Sequence, residues 1–399
     1  MRVILIIMDG AADSGKNTPL KSAYIPNLNF MASNGKTGLI YTVKKGLAPE
    51  SDVGVLSLLG YNPFKYYTGR GPLEMYGTNL NFKNFLALRA NFATAINKSI
   101  IDRRVGRTLS TKEANSLANS INKKVKLKVK FIFKSTVEHR AILVFKSNLS
   151  DKVSNTDISY KKTGKISLAI SNDDNEFKFC KPFSKEARKT ASLINEFTLK
   201  SREVLKNHPI NKKRIKKGLL PANLILLRDA GNKIPKLQKM LNWISVCSMP
   251  LEIGISKTAG MKIVKAQIDE KNDYYKNLGN VASKAITVIK SNKNSNIYVH
   301  FKETDIPGHD GNFNEKKKML EYLDKRFFSV LKNVKNSLII VTSDHATPVS
   351  LKRHSSDPVP ILIYGNGKDK VKKFDEISCR KGSIHISNGY KLMKFIQNI

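Results

Sequence analysis

The 399-residue sequence predicts an α/β fold: a doubly wound sheet core carrying an inserted α+β domain. Three observations carry this. Short apolar runs suited to buried strands open the chain ("VILIIM") and return near its end ("NIYVHF", "SLIIV", "VPILIYG"). Helix-like segments alternate with them at both ends, so one sheet draws on both halves of the chain. The middle differs in character and reads as an insertion over 81–225, leaving 1–80 and 226–399 as the core.

In chain order, Val3 to Met8 reads as a strand, "PNLNFMASNG" as a helix ended by Gly35, and "VLSLLG" as an apolar helix ended by Gly60. In the insertion, "KKVKLKVKFIFK" sets Lys124, Lys126, Lys128 and Lys130 opposite Val125, Leu127, Val129 and Phe131 at period two. That pattern predicts a half-buried strand with a lysine-covered face, an edge strand guarded against pairing. "SNDDNEFK" (171–178) reads as a polar loop and "NHPINKKRIKKG" as a basic one. Back in the core, "EKKKMLEYLDKRFFSVLKNV" has a helical stripe of Met319, Leu320, Leu323, Phe327, Val330 and Leu331.

Charge is the outlier in composition: 70 Lys+Arg against 32 Asp+Glu leaves +38. A nucleic-acid partner is the sharp reading of such an excess. The basic residues are spread along the whole chain, however, which fits compositional drift and attraction of anionic metabolites better. Cys180, Cys247 and Cys379 stand far apart without CxxC spacing, which points to a reducing compartment and away from structural zinc. The first apolar run is too short for a signal peptide or a membrane span, so a soluble, cytoplasmic protein is expected, with no nucleic acid and no membrane as partners.

"FKETDIPGHDG" carries the first chemical signal. Asp305 and His309 flank Pro307 and Gly308 directly after a strand, and the proline predicts a loop, not a helix. Sites of open α/β sheets form at that end of a strand. Other strand ends supply Asp9, the adjacent Asp344 and His345, and then His354. Three carboxylates with three histidines suit Mn²⁺ or Zn²⁺, and more than one ion. Ser51 or Asp52 could cap the helix that follows; equally, Ser51 at a helix start could be a nucleophile attacking phosphorus. Spacing leaves both readings open.

The motifs "PESDVGVLSLLGYNP", "YTGRGPLE", "RANFAT", "DRRVGR", "ANLILLRDAG", "HFKETDIPGHDG", "TSDHATP" and "HSSDPVPILIYG" occur in this order. In them the chain resembles the archaeal type of cofactor-independent (2,3-bisphosphoglycerate-independent) phosphoglycerate mutase, of the alkaline phosphatase superfamily. The resemblance implies an alkaline-phosphatase-like core with a substrate-binding cap. It also implies interconversion of 3-phosphoglycerate and 2-phosphoglycerate, a glycolytic and gluconeogenic step, through a phosphoserine. Two divalent cations would serve it, Mn²⁺ foremost, with Zn²⁺, Co²⁺ or Mg²⁺ as substitutes.

One ion would be held by Asp9, Ser51, Asp344 and His345, the other by Asp305, His309 and His354. Ser51 would be the nucleophile, with Lys302 near the transferred phosphate. Asp102, Arg103, Arg104, Arg107, His139 and Arg140 would bind substrate. Arg70 and Arg228 would join them or stabilise the junction of core and cap. Arginine suits a doubly anionic substrate because its planar fork binds phosphate and carboxylate bidentately. The stretch "SDKVSNTDISYKKTG" departs from the family's Asp-Pro, and "AQIDEKNDYYKN" from its Gly-Thr-Gly-like turn. The alternatives are a related metal-dependent phosphatase or phosphotransferase acting on another small phosphorylated metabolite, and a basic nucleic-acid-binding protein with a decayed site. Seven intact candidate ligands speak against decay.

Overall fold

Strand Arg2–Met8 is buried from Ile4 onward and pairs in parallel with Asn296–Phe301 on one side and Ser337–Thr342 on the other. It lies inside an eight-stranded sheet with the order Lys262–Lys265, Trp243–Cys247, Asn296–Phe301, Arg2–Met8, Ser337–Thr342, Val359–Tyr364, Gly35–Ile40, Ile384–Ile386. Only Val359–Tyr364 runs against the others. Strands covered on both faces need apolar residues throughout, which is why the sequence shows continuous runs here and not alternation.

Helices Pro26–Ser33, Tyr274–Ser291 and Phe313–Leu323 bury Leu28, Met31, Leu278, Val281, Met319 and Leu320 against Ile4, Ile6, Val299 and Ile339. Truncating a fully buried side chain such as Leu320 to alanine would cost about 2–5 kcal/mol. The computed structural model describes residues 1–170, 175–269 and 273–399. Its first unit, which holds this sheet, comprises Met1–Tyr66, Leu237–Asp269 and Asp273–Ile399. No helix among the described residues is long and apolar enough to cross a membrane.

The second unit runs over Tyr67–Lys236. Its antiparallel sheet orders Ser99–Asp102, Leu86–Ile96, Arg140–Phe145 and Phe131–Ser135, with Leu224–Gly231 also paired to Leu86–Ile96. Helices Thr111–Lys124 and Arg188–Lys206 bury Leu117, Ile121, Ile194 and Phe197 with Phe92, Phe133 and Leu143. The unit is wider than the 81–225 expected, for two reasons. Helix Arg70–Gly77 packs on this sheet, with Gly71 so close that a Cβ would fall 2.2 Å from the Ala87 carbonyl oxygen. At the other end Leu224–Gly231 belongs to the sheet through its pairing with Leu86–Ile96.

Several local expectations are corrected. The segment around Pro307 is helical: a 3₁₀ turn at Glu303–Asp305 leads into helix Ile306–Asp310. Proline sits in the first turn, where its missing N–H costs nothing. Gly35 begins a strand, and Asn34 ends the preceding helix. The lysine-alternating stretch is not a strand over 124–131: a capping box of Ser110 and Glu113 starts a helix that runs through Lys124, and the strand begins at Phe131. That strand does terminate the sheet. The basic "loop" holds helix Pro209–Lys216, with His208 as its N-cap and proline at its start. A π-helical turn at Asp324–Phe328 shifts the phase of the C-terminal stripe, burying Phe328 and leaving Val330 half-buried. Residues 171–174 of the expected polar loop lie outside the described residues.

Candidate active site

The parallel strands bring their carboxyl ends to one edge, and the reversed strand Val359–Tyr364 brings its amino end there. Asp9 follows Met8, the turn of Lys302 to His309 follows Phe301, and Asp344 and His345 follow Thr342. His354 precedes Val359 and so arrives at the same edge from the opposite direction. Gly10, at φ +57, passes so near Asp305 that a Cβ would meet its Oδ1 at 2.4 Å, and its N–H donates to Asp344 Oδ1.

Ser51 is the first residue of helix Ser51–Leu58, whose N-cap is Glu50 without a side-chain bond. Its hydroxyl therefore does not cap the helix. Ser51 Oγ lies 3.4 Å from Asp9 Oδ2, 3.3 Å from His345 Nε2 and 3.3 Å from Lys302 Nζ. Lys302 donates to Asp9 Oδ2 at 2.5 Å and approaches Asp305 Oδ2 at 3.5 Å.

The histidines share one design. His309 Nδ1 faces the Lys352 carbonyl oxygen, and His354 Nδ1 faces the Pro49 carbonyl oxygen and Glu50 Oε1. His345 Nδ1 faces the Thr347 hydroxyl, which donates onward to Asp305 Oδ1 and so accepts from the imidazole. Each Nδ1 thus has an acceptor for its proton, which leaves each Nε2 to take up an ion or a second proton from the site. His354 Nε2 is 3.2 Å from His309 Nε2 and 3.7 Å from Asp305 Oδ1; His309 Nε2 is 3.3 Å from Asp305 Oδ2. His345 Nε2 is 3.2 Å from Asp9 Oδ1 and 3.5 Å from Asp344 Oδ2.

Lone pairs this close to carboxylates and to one another require a cation. Burial opposes a charge on His345, yet Asp344 and Asp9 raise its pKa to about 9. Burial likewise opposes ionisation of Asp305, but His309 and Lys302 hold its carboxyl well below the usual range. Either a proton or a metal ion meets that demand. Asp305, His309 and His354 form one compact candidate ligand group. Asp9, Asp305 and His345 form a second, and Asp9, His300 and Asp344 a third. Asp9 Oδ1 and Asp344 Oδ2 are buried without a hydrogen-bond partner, as expected of atoms reserved for an ion.

All seven candidate ligands and Lys302 are therefore gathered in the first unit. The expected substrate-binding residues gather in the second. Arg103 makes a two-pronged bond to Asp157, and Arg140 bonds Glu138. Arg70 and Arg89 share the buried Glu74. Arg228 stacks 3.5 Å above the Tyr160 ring. His139 is held well below its usual pKa, first by burial and then by the charges of Arg140, Arg104, Arg107 and Arg89. Asp102 Oδ1 accepts the N–H groups of Arg104 and Gly106 and shapes their turn.

Sequence reading missed Glu74, Arg89, Asp157 and His300. A signal existed for each, since Arg89 lies in "RANFAT", Glu74 in "YTGRGPLE", Asp157 in the divergent "SDKVSNTDISYKKTG", and His300 opens "HFKETDIPGHDG". That divergent stretch supplies the carboxylate that holds Arg103.

Fold and site define an α/β protein with an antiparallel second unit and a serine set among candidate metal ligands. A sequence profile described as 2,3-bisphosphoglycerate-independent phosphoglycerate mutase matches residues 32–211. Proteins of that name from Aeropyrum pernix and Thermoplasma volcanium are 39% and 38% identical to this chain. The first alignment covers 98% of both chains, the second 96% of this chain and 94% of the relative. The cofactor-independent phosphoglycerate mutase of Thermoplasma acidophilum is 30% identical, with a TM-score of 0.56 over 100% of this chain and 99% of that one. A solved Pyrococcus horikoshii protein is 27% identical, with a TM-score of 0.76 over 100% and 96%. The chain belongs to the 2,3-bisphosphoglycerate-independent phosphoglycerate mutase family.

Proposed function

We propose that this chain interconverts 3-phosphoglycerate and 2-phosphoglycerate by way of a phosphoserine at Ser51. One observation carries the reading: three histidines, His345 and His354 buried and His309 half-buried, each turn Nδ1 to an acceptor and aim Nε2 at carboxylates around a serine hydroxyl. Asp9, Ser51, Asp344 and His345 would hold one divalent cation, and Asp305, His309 and His354 the other, manganese being the leading candidate. Bound there, the cations would activate the serine oxygen and neutralise phosphoryl charge.

Ser51 Oγ would form the new bond to phosphorus as the bond from phosphorus to the glycerate oxygen breaks. Glycerate would reorient, and its other hydroxyl would reverse the transfer. Lys302, 3.3 Å from Ser51 Oγ, would place its ammonium beside the phosphoryl oxygens. We assign to Arg104, Arg107, Arg140 and Arg228, with Arg70, Arg103 and His139, the binding of the substrate's anionic groups. Glu74 and Asp157 would hold three arginines in fixed orientations: Arg70 and Arg89 by Glu74, Arg103 by Asp157. The three cysteines, unbridged and buried, suit a reducing cytoplasm.

The test is conversion of 3-phosphoglycerate by purified protein with Mn²⁺ and without 2,3-bisphosphoglycerate. Formation of 2-phosphoglycerate is expected. Release of inorganic phosphate alone would make the chain a phosphatase, and no reaction at all would remove the assignment.

A further inference from the structure

The ligand sets assigned above leave one buried histidine without a task. His300 stands inside strand Asn296–Phe301 and is 1% exposed. Its Nε2 lies 3.5 Å from Asp9 Oδ2 and 4.0 Å from Asp344 Oδ2. On the other side its Nδ1 faces Glu252 Oε1 at 3.8 Å, from helix Pro250–Thr258. Glu252 is itself only 2% exposed.

A histidine in a strand is ordinarily a core residue with its nitrogens satisfied. Here three carboxylates surround it, and His300 Nε2, Asp344 Oδ2 and Glu252 Oε2 are all buried without a hydrogen-bond partner. Leaving such atoms unpaired is costly, more so for charged groups. A protonated imidazole acting as plain counter-ion would donate its Nε2 proton to a carboxylate in a short bond, whereas the nearest oxygen, Asp9 Oδ2, lies 3.5 Å away. Asp9 already has its ammonium in Lys302, at 2.5 Å. The ligand atoms of Asp9, His300 and Asp344, by contrast, lie within 4.8 Å of one another. That span suits one ion with bonds of about 2.0–2.2 Å.

A carboxylate behind the far nitrogen of an imidazole is the usual partner of a metal-binding histidine, since it fixes the tautomer and the ring plane. We propose that His300, oriented by Glu252, is a further nitrogen ligand of the ion held by Asp9 and Asp344. The proposal rests on the two-ion reading above. Added to Asp9, Ser51, Asp344 and His345, it would give that ion two nitrogens, two carboxylates and the serine oxygen, a donor set that favours Mn²⁺, Co²⁺ or Zn²⁺ over Mg²⁺.

The experiment compares wild type, His300→Gln and Glu252→Gln. Metal content after equilibrium dialysis, affinity by chelator competition and the visible spectrum of the Co²⁺ form are measured, with the Tm of each metal-free protein as a check on folding. Wild type should bind about two ions under the two-metal reading. His300→Gln should bind about one fewer and lose part of the cobalt spectrum. Glu252→Gln should keep both ions while weakening one by roughly 10–100-fold. If both variants match wild type in stoichiometry, affinity and spectrum, the proposal is overturned and the two-ion reading stands. If wild type binds no metal, both fall. If His300→Gln fails to fold, the affinity and spectrum of Glu252→Gln decide alone.

Discussion

The Nε2 atoms of His309 and His354 face each other across 3.2 Å, although each ring has turned its Nδ1 to a backbone carbonyl. Were both rings neutral, imidazoles so anchored would have no proton to share between these atoms, and the Asp305 carboxylate beside them adds negative charge. The arrangement is at ease only around a cation.

Metal removal should therefore be costly. Chelator-treated protein should unfold at lower temperature than protein with excess Mn²⁺, by about 2.7 kcal/mol per site at a hundredfold excess over Kd. Asp305→Asn should shrink the gain. A Tm indifferent to manganese at saturating concentration would show that these nitrogens meet protons only.

Ser51→Ala should abolish turnover and leave the fold almost unchanged, within about 1 kcal/mol, because its hydroxyl caps no helix. Mass spectrometry of wild type quenched with substrate should find phosphate on the peptide containing Ser51. A label on another residue, or an active alanine variant, would redirect the chemistry.

Arg104→Lys and Arg107→Lys keep the charge and lose the planar fork. Mutase activity should fall by tenfold or more, about 1.4 kcal/mol of transition-state binding, while hydrolysis of a small aryl phosphate persists. Parallel loss of both activities would give these arginines a structural role.

Glu376 should mark the pH dependence of stability. It accepts the Asp13 N–H and the Thr18 hydroxyl, and burial pushes its carboxyl up to about 7 from an ordinary 4.5. The folded state holds this proton more tightly than the unfolded chain. The group's stabilising contribution is thus full below pH 4.5 and lost as pH rises through about 7. Glu376→Gln, which mimics the protonated form, should flatten Tm against pH over that window. A variant that keeps the wild-type slope would assign the dependence elsewhere.

Much of the core was legible because strands buried on both faces leave continuous apolar runs, and Asp9, Asp344 and His345 stand directly after them. His354 was legible as a residue type, but its arrival depends on one reversed strand, a matter of topology that no local pattern encodes. His300 opens the motif "HFKETDIPGHDG" but was passed over because it also lies within the apolar run "NIYVHF", where a histidine looks like part of the core. The lysine alternation misled because helix Thr111–Lys124, started by a capping box, overrode a period-two pattern. Pro307 misled because a proline is tolerated in the first turn of a helix.

The parentage of the central sheet has a consequence for biosynthesis. Arg2–Met8 is synthesised long before its two neighbours, Asn296–Phe301 and Ser337–Thr342. The contiguous unit Tyr67–Lys236 has its strand partners within itself and can condense on emergence from the ribosome. "VILIIM" has no such option. Until both partners are synthesised it remains an unpaired, uncharged, β-prone hexapeptide, the kind of segment that seeds aggregation. Pairing of such sequence-distant strands is slow, so this hexapeptide stays open to misassembly until the downstream strands are made.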